Sequence, residues 1–309
     1  MTVHQGLPGR NLRLSAATIG VFDGVHRGHA AILRATRDRA GTGSAAVITF
    51  DRHPLATLAP TVAPRCLMTL GQRLEAFRAH GIRTVIVLKF NPRLAARPAE
   101  EFARTILARR LHVAHLVVGY DFHFGRGGTG DAALLQRLGT RLGFGLTVVP
   151  PALDHREPVS STRIRRLVRL GRLPEATRLL GRPVMLAGQR VRGRRLGRKL
   201  GFPTINLRPR NELLPPHGIY AARLGRTPAV AYLGARPTVD REGAEALLEI
   251  HCLAAAPAIP TGKTVEVALV AWQRPDRKFD GVEPLRRQIA RDVARARRVL
   301  GLTRGRREV

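Results

Sequence analysis

The segment Thr18–Leu33, TIGVFDGVHRGHAAIL, decides the fold. An apolar run ends at Phe22, a turn follows with Asp23 and Gly24, and a helix is predicted to begin near Gly28. His26 and His29 are three residues apart, so at a helix start they project on the same side. Gly28 between them lets a ligand approach the backbone. The unpaired N–H groups and positive dipole end of a helix add an anion site suited to a triphosphate. Two imidazoles beside phosphates can donate hydrogen bonds to charge that builds at phosphorus during an in-line displacement. A lone histidine more often caps or packs. Asp-Gly, two histidines and a glycine in one strand-to-helix turn favour the catalytic reading.

Outward from this turn, short β-rich runs alternate with helical patterns. Ala16–Phe22, Ala45–Phe50, Thr84–Phe90, Leu116–Gly119 and Leu146–Val149 read as buried parallel strands. Thr69 with Gln72 three residues on opens one helix, and another follows Pro98 with Glu100 and Glu101 in its first turn. This rhythm predicts an α/β, Rossmann-like domain with ligands at the carboxyl ends of its strands. Two short helices, Ser161–Leu170 and Pro174–Leu180, stop at Gly171 and Gly181. From about Pro183 the texture changes to closely spaced strand-like runs: PVMLAGQRV, GFPTINL, GIYAARLG, AVAYLG, LLEIHCL and TVEVALVAW. They predict a small all-β antiparallel barrel, closed by an amphipathic helix over Val282–Leu300. The division falls at residues 1–182 and 183–309, and the Arg-rich tail after Leu302 reads as frayed.

The chain carries 53 Lys and Arg against 22 Asp and Glu, a formal charge of +31. Such a balance raises a nucleic-acid partner, because clustered cations release counterions from phosphates. The arginines are spread along the whole chain, however, only Lys89, Lys199, Lys263 and Lys278 are lysines, and aromatics make up 5% of residues. Base-stacking platforms are therefore scarce, and no specific nucleic-acid partner is expected. No run of about 18 apolar residues spans a bilayer, and the first residues lack a secretory apolar core. Cys66 and Cys252 sit in no metal or disulfide spacing, so the cytoplasm is the expected compartment. A homo-oligomer is left open.

A second constellation lies in Leu186–Leu207, LAGQRVRGRRLGRKLGFPTINL. Gly193, Gly197 and Gly201 let the backbone turn tightly around phosphates, which Arg198 and its basic neighbours neutralise. Thr204 and Asn206 alternate onto one face of a strand and offer two hard oxygens to Mg²⁺. Alone, such a run is more often a surface hairpin.

GVFDGVHRGH resembles the HxGH signature of nucleotidyltransferases in the form found in bacterial FMN adenylyltransferases. SSTRIR, Ser160 to Arg165, is similar to the second signature of that family. ITFDRHP (Ile48 to Pro54) and VGYDFHFGRGGTGD (Val118 to Asp131) resemble its pocket segments. In the second half, PTIN is similar to the PTAN motif of riboflavin kinases, and AYLGARPT, LEIHCL and RPDRKFDGVEPLRRQI follow in the order of that family. Val21, Arg52, Ile205, Tyr232 and the aromatic-free stretch Cys252–Lys263 depart from the usual patterns.

The resemblance, to bifunctional riboflavin kinase/FMN adenylyltransferases, covers about Ser15 to Arg298. It implies a six-stranded barrel after the Rossmann-like domain, with ATP, riboflavin and FMN as substrates and FAD as product. It implies catalysis by His26 and His29 with Asp23 at one site, and by Glu249 as base at the other. ATP phosphates would meet Gly20, Phe22, Gly28, Ser160, Ser161, Thr162 and Arg163, and the flavin would meet Asp51, His53, Asp121, Phe122 and Arg274. Two rival readings remain at this level: an adenylyltransferase with a degenerate barrel, and a basic nucleic-acid-binding protein on an old enzyme fold.

Overall fold

The computed structural model describes residues 1–9, 11–193, 197, 200–236 and 245–302. Arg198, expected at the ATP phosphates, lies outside these residues, as do Pro237 and Thr238 and the tail expected to fray. The chain forms two compact units. The first holds Met1–Cys66 and Leu70–Ser161; the second holds Leu67–Thr69 and Thr162–Val309.

The first unit is a six-stranded, all-parallel sheet. Its strands are β1 (Thr2–Gln5), β2 (Ala16–Ile19), β3 (Ala45–Phe50), β4 (Thr84–Leu88), β5 (His115–Gly119) and β6 (Gly145–Val149), in the order β1-β4-β3-β2-β5-β6. Helices α1 (Arg27–Ala40), α2 (Leu55–Leu58), α3 (Leu70–Ala79), α4 (Pro92–Ala95), α5 (Ala99–Phe102) and α6 (Ala132–Leu142) connect them, and α5 continues as a π-helix over Ala103–Arg110. All four residues of β2 are buried, as are five of six in β3. That pattern belongs to strands covered by helices on both faces. The chain steps from β2 to β3 and β4 on one side, then returns to place β5 on the other side of β2. This reversal opens a crevice at the carboxyl ends of β2 and β5. Strand β1 had no counterpart among the expected strands. It is a four-residue edge strand with no fully buried residue.

The second unit contains α7 (Ser161–Arg169; its first residue clusters with the first unit), α8 (Leu173–Leu180) and a closed six-stranded antiparallel barrel. A two-stranded ribbon, β7 (Leu153–Asp154) and β8 (Glu157–Pro158), belongs to the first unit, and the barrel strands follow α8. They are β9 (Val184–Val191), β10 (Ile205–Pro209), β11 (Gly218–Leu224), β12 (Thr227–Arg236), β13 (Glu245–Cys252) and β14 (Thr264–Arg274). Leu207, Tyr220, Ala231, Leu233, Leu248, Ile250, Val267 and Leu269 are fully buried and fill the interior. The closing helix α9 (Val282–Val299) packs Val293 and Ala296 on the outer wall against Ala221 and Val230. The buried Asn211 side chain fastens Leu67 to this unit, accepting from the Ala187 N–H and donating to the Leu67 carbonyl, both at 2.8 Å.

Candidate active sites

The first site grows from the end of β2. Gly20 continues the ladder by donating to the Ile48 carbonyl, and the chain then turns sharply. Phe22 and Val25 hold φ of 55° and 38°, in the left-handed region that non-glycine residues seldom adopt. His26 is the N-cap of α1, and its Nδ1 accepts from the His29 N–H at 3.3 Å. In the neutral ring an accepting Nδ1 leaves the proton on Nε2, so His26 is a donor at that atom. The two imidazoles stack with centroids 3.7 Å apart and planes 18° from parallel. A side chain at Gly28 would begin 3.2 Å from the His26 ring, so glycine gives the imidazole its room.

The second signature reaches this turn directly. The Ser161 hydroxyl donates to the Asp23 carbonyl at 2.8 Å, joining residues 138 positions apart. Asp23 is buried, and Ser160 and Ser161 are half-buried. Thr162 is exposed and Arg163 half-buried in the next positions of α7. At the end of β5, Asp121 is exposed, and Phe122 stacks on Phe124 at 5.6 Å, partly packed on the core.

Three expected contact residues also make contacts within the protein. The Asp51 carboxylate accepts from the Phe90 N–H at 2.8 Å and so ties the ends of β3 and β4. His53 Nδ1 accepts from the Leu55 N–H at the start of α2. The Phe22 ring is buried edge-on between His29 and Phe77, which leaves its backbone for a ligand. Sequence reasoning missed Arg73. It is buried on α3, and its guanidinium donates to the Val21 carbonyl, the Thr49 hydroxyl and the Phe50 carbonyl at 2.8, 3.0 and 2.9 Å. The available signal was a charge four residues before Phe77, on the buried face of the predicted helix.

The second site is a cavity of about 520 Å³ against the barrel wall, a volume usual for small-molecule sites. Leu248 and Ile250 point into the barrel, so Leu247, Glu249 and His251 face the other way and line the cavity. Glu249 lies directly opposite Asn206 on β10 and Tyr232 on β12. Strand β10 begins at Ile205, so Thr204 stands in the extended approach rather than on the strand, yet both Thr204 and Asn206 line the cavity. Pro203 explains the late start: it lacks an N–H, and its carbonyl meets His251 Nδ1 at 3.0 Å.

Burial pushes the Tyr232 phenol above its usual pKa, and the Asp276 and Glu249 carboxylates add to the shift. The phenol is therefore a donor at neutral pH, and its oxygen lies 3.4 Å from Asp276. Arg274, expected at the flavin, also lines the cavity, but its guanidinium is fixed on the buried Asp292 by bonds of 3.0 and 2.6 Å. Together they fasten β14 to α9, whose Leu285 and Ile289 complete the wall. Among the described residues no cluster of three or more His, Cys, Asp and Glu is arranged to hold a metal.

Gly193 has a tighter reason than turning around phosphate. A Cβ there would lie 2.2 Å from the Asn206 amide nitrogen. On the kinase role that the resemblance implies for this cavity, Gly193→Ala should push Asn206 out of line and slow FMN formation roughly tenfold, within the scale of small misplacements. FAD formation from added FMN should be unchanged, and separate assays of the two reactions check this. Gly197 is equally confined, 2.3 Å from the Phe202 carbonyl by the same measure, whereas Gly201 holds a φ of 86° in open space.

A profile of FAD synthetases matches residues 10–163, and one of riboflavin kinases matches residues 180–300. A bifunctional riboflavin kinase/FMN adenylyltransferase of Escherichia coli K12 is 38% identical over 293 residues, 93% of each chain. A protein of the same name from Haemophilus influenzae is 34% identical over 306 residues, covering 96% of this chain and 98% of that one. Among solved structures, one described as a macrolide-efflux protein from Streptococcus pneumoniae superposes with a TM-score of 0.82 at 27% identity, covering 96% of this chain and 99% of that chain. The efflux description stays with that protein. Among the described residues here, no helix is long and apolar enough to cross a membrane.

Proposed function

This chain belongs to the family of bifunctional riboflavin kinase/FMN adenylyltransferases, and on that footing we propose how its residues divide the synthesis of FAD. It phosphorylates riboflavin with ATP and then adenylates the FMN. We assign the adenylyl transfer to residues 1–182 and the kinase to residues 183–309, a division supported by profile matches that stop at 163 and resume at 180. The observation that carries the reading is the presence of two separately built sites, the histidine turn at the sheet crevice and the glutamate cavity on the barrel.

At the kinase site the riboflavin 5′-hydroxyl attacks the γ-phosphorus of ATP. The new P–O bond forms as the bond to ADP breaks, and Glu249 takes the hydroxyl proton. Arg274, held rigid by Asp292, offers a fixed cation in the cavity wall. Thr204 and Asn206 would hold Mg²⁺ by two oxygens, which suits an ion that keeps waters and nucleotide phosphates as its other ligands. When bound, that ion neutralises phosphate charge.

At the transferase site a phosphate oxygen of FMN attacks the α-phosphorus of ATP, and pyrophosphate leaves. His26 and His29 donate to charge building on the phosphoryl oxygens, and Asp23 helps orient the substrate. Gly20, the Phe22 backbone and Gly28 line the phosphate path. From the second signature, Ser160 and the Ser161 N–H at the start of α7 receive the departing pyrophosphate. Asp121 and Phe122 contact the flavin, while Asp51 and His53 shape its pocket through the bonds they make.

ATP as co-substrate of both reactions supports a cytoplasmic setting. The aromatic pairs Phe22–Phe77 and Phe102–Phe124 are buried rather than displayed, which supports small molecules and not a specific nucleic acid as partners. Incubation of the purified protein with riboflavin, ATP and Mg²⁺, followed by chromatography of the flavins, should show FMN and then FAD. If added FMN were adenylated while riboflavin never gave FMN, the kinase assignment would be overturned.

A further inference from the structure

We propose that Arg73, supported by Phe77 one helical turn further along α3, is the positioning residue that fixes the histidine turn for adenylyl transfer. The inference rests on the assignment of His26 and His29 to that reaction.

The Arg73 side chain reaches from α3 to the carboxyl ends of two adjacent strands. One guanidinium nitrogen donates both to the Val21 carbonyl, which leads into the turn, and to the Thr49 hydroxyl; the other donates to the Phe50 carbonyl. The ends of β2 and β3 are thus held in register just where the backbone enters the left-handed region at Phe22. Such conformations persist only where the surroundings over-determine them.

The ring contacts run along the same line. Phe77, fully buried, meets the Phe22 ring edge-on at 5.5 Å; Phe22 meets His29 edge-on at 5.1 Å; His29 stacks on His26 at 3.7 Å. Helix α3 therefore grips the turn twice, at the carbonyl before Phe22 and at the Phe22 ring. A rigid planar fork can bond two strands at once, whereas a lysine ammonium presents its donors from one atom. Arg73 touches neither reacting atoms nor substrate in this scheme. It acts by setting where the imidazoles stand.

The two reactions of the full-length protein provide the test. Arg73→Met should lower kcat for FAD formation from added FMN by roughly tenfold to a hundredfold, the scale of loss from ångström-size misplacement. KM for ATP should stay within about threefold and riboflavin phosphorylation within about twofold. Arg73→Lys should recover part of the lost kcat and, if Arg73→Met does not fold, decides the matter on the same quantities. An unchanged kcat, a rise in KM alone, or an equal loss of both activities with a lowered Tm would each overturn the proposal. If His29→Ala itself leaves FAD formation intact, the site assignment fails. If His29→Ala removes that activity while Arg73→Met spares kcat, only the role of Arg73 fails.

Discussion

Glu249→Gln is expected to leave a protein that adenylates added FMN at the normal rate and makes almost no FMN from riboflavin. The glutamate lies between two residues that are fully buried in the barrel interior, so the alternation of the strand turns its carboxylate to the cavity. Across the sheet it has Asn206 on one side and Tyr232 on the other. Gln keeps the volume and the hydrogen-bonding reach of the side chain but cannot accept a proton. The loss therefore isolates base catalysis, which is worth roughly 10²–10⁴-fold in kcat. KM for riboflavin and the Tm should barely move, because packing and polar contacts survive. Steady-state assays of the two half-reactions settle it, and FMN formation within about threefold of the parent would remove Glu249 from the role of base. Gln also separates this role from electrostatic structure in the wall, since Tyr232 keeps its bond to Asp276 in the variant.

The legibility of each site in the sequence follows how locally its chemistry is written. The histidine turn was readable because strand end, turn glycine, cap and both imidazoles occupy a few consecutive residues. The alternation around Glu249 was readable because Leu248 and Ile250 declare the barrel interior on either side. A charge on the buried face of α3 was readable at Arg73, but its partners were not: the three acceptors lie 23 to 52 positions away and on two different strand ends. The anchoring of Arg274 on Asp292 was hidden for the same reason, since it requires α9 to lie across the barrel wall. Asp51 and His53 sit in a segment that resembles a pocket lining, yet a backbone N–H already uses one polar atom of each. A family pattern shows that a residue matters at a site without saying whether it touches the ligand. Strand β10 illustrates the limit at element ends, because a proline beside the strand and a histidine bond to its carbonyl delay the ladder to Ile205. The six barrel strands and five of the six parallel ones were legible as short β-rich runs, but β6, expected to be buried, lies at the sheet edge with no buried residue, because only β5 pairs with it.

His29→Ala is expected to reverse the pattern of Glu249→Gln, with FMN accumulating from riboflavin and FAD formation falling roughly 10²–10³-fold, the usual loss when one donor to transition-state charge is removed. His29 is the cleaner probe of the pair. His26 caps α1 through Nδ1, so its replacement by alanine would mix the lost donor with a lost cap of about 1 kcal/mol. His26→Asn avoids this, because asparagine is itself a favoured N-cap and removes only the imidazole. If the rings act together on the phosphoryl group, His26→Asn and His29→Ala should each lower kcat by a similar order, and the double variant should lose less than the product of the two. Purely structural histidines give another outcome: His26→Asn would then retain FAD formation, because the cap it preserves is all that the imidazole supplied. Measuring kcat and KM for ATP in the three variants, with the Tm as the check on folding, distinguishes a pair of donors from a pair of props.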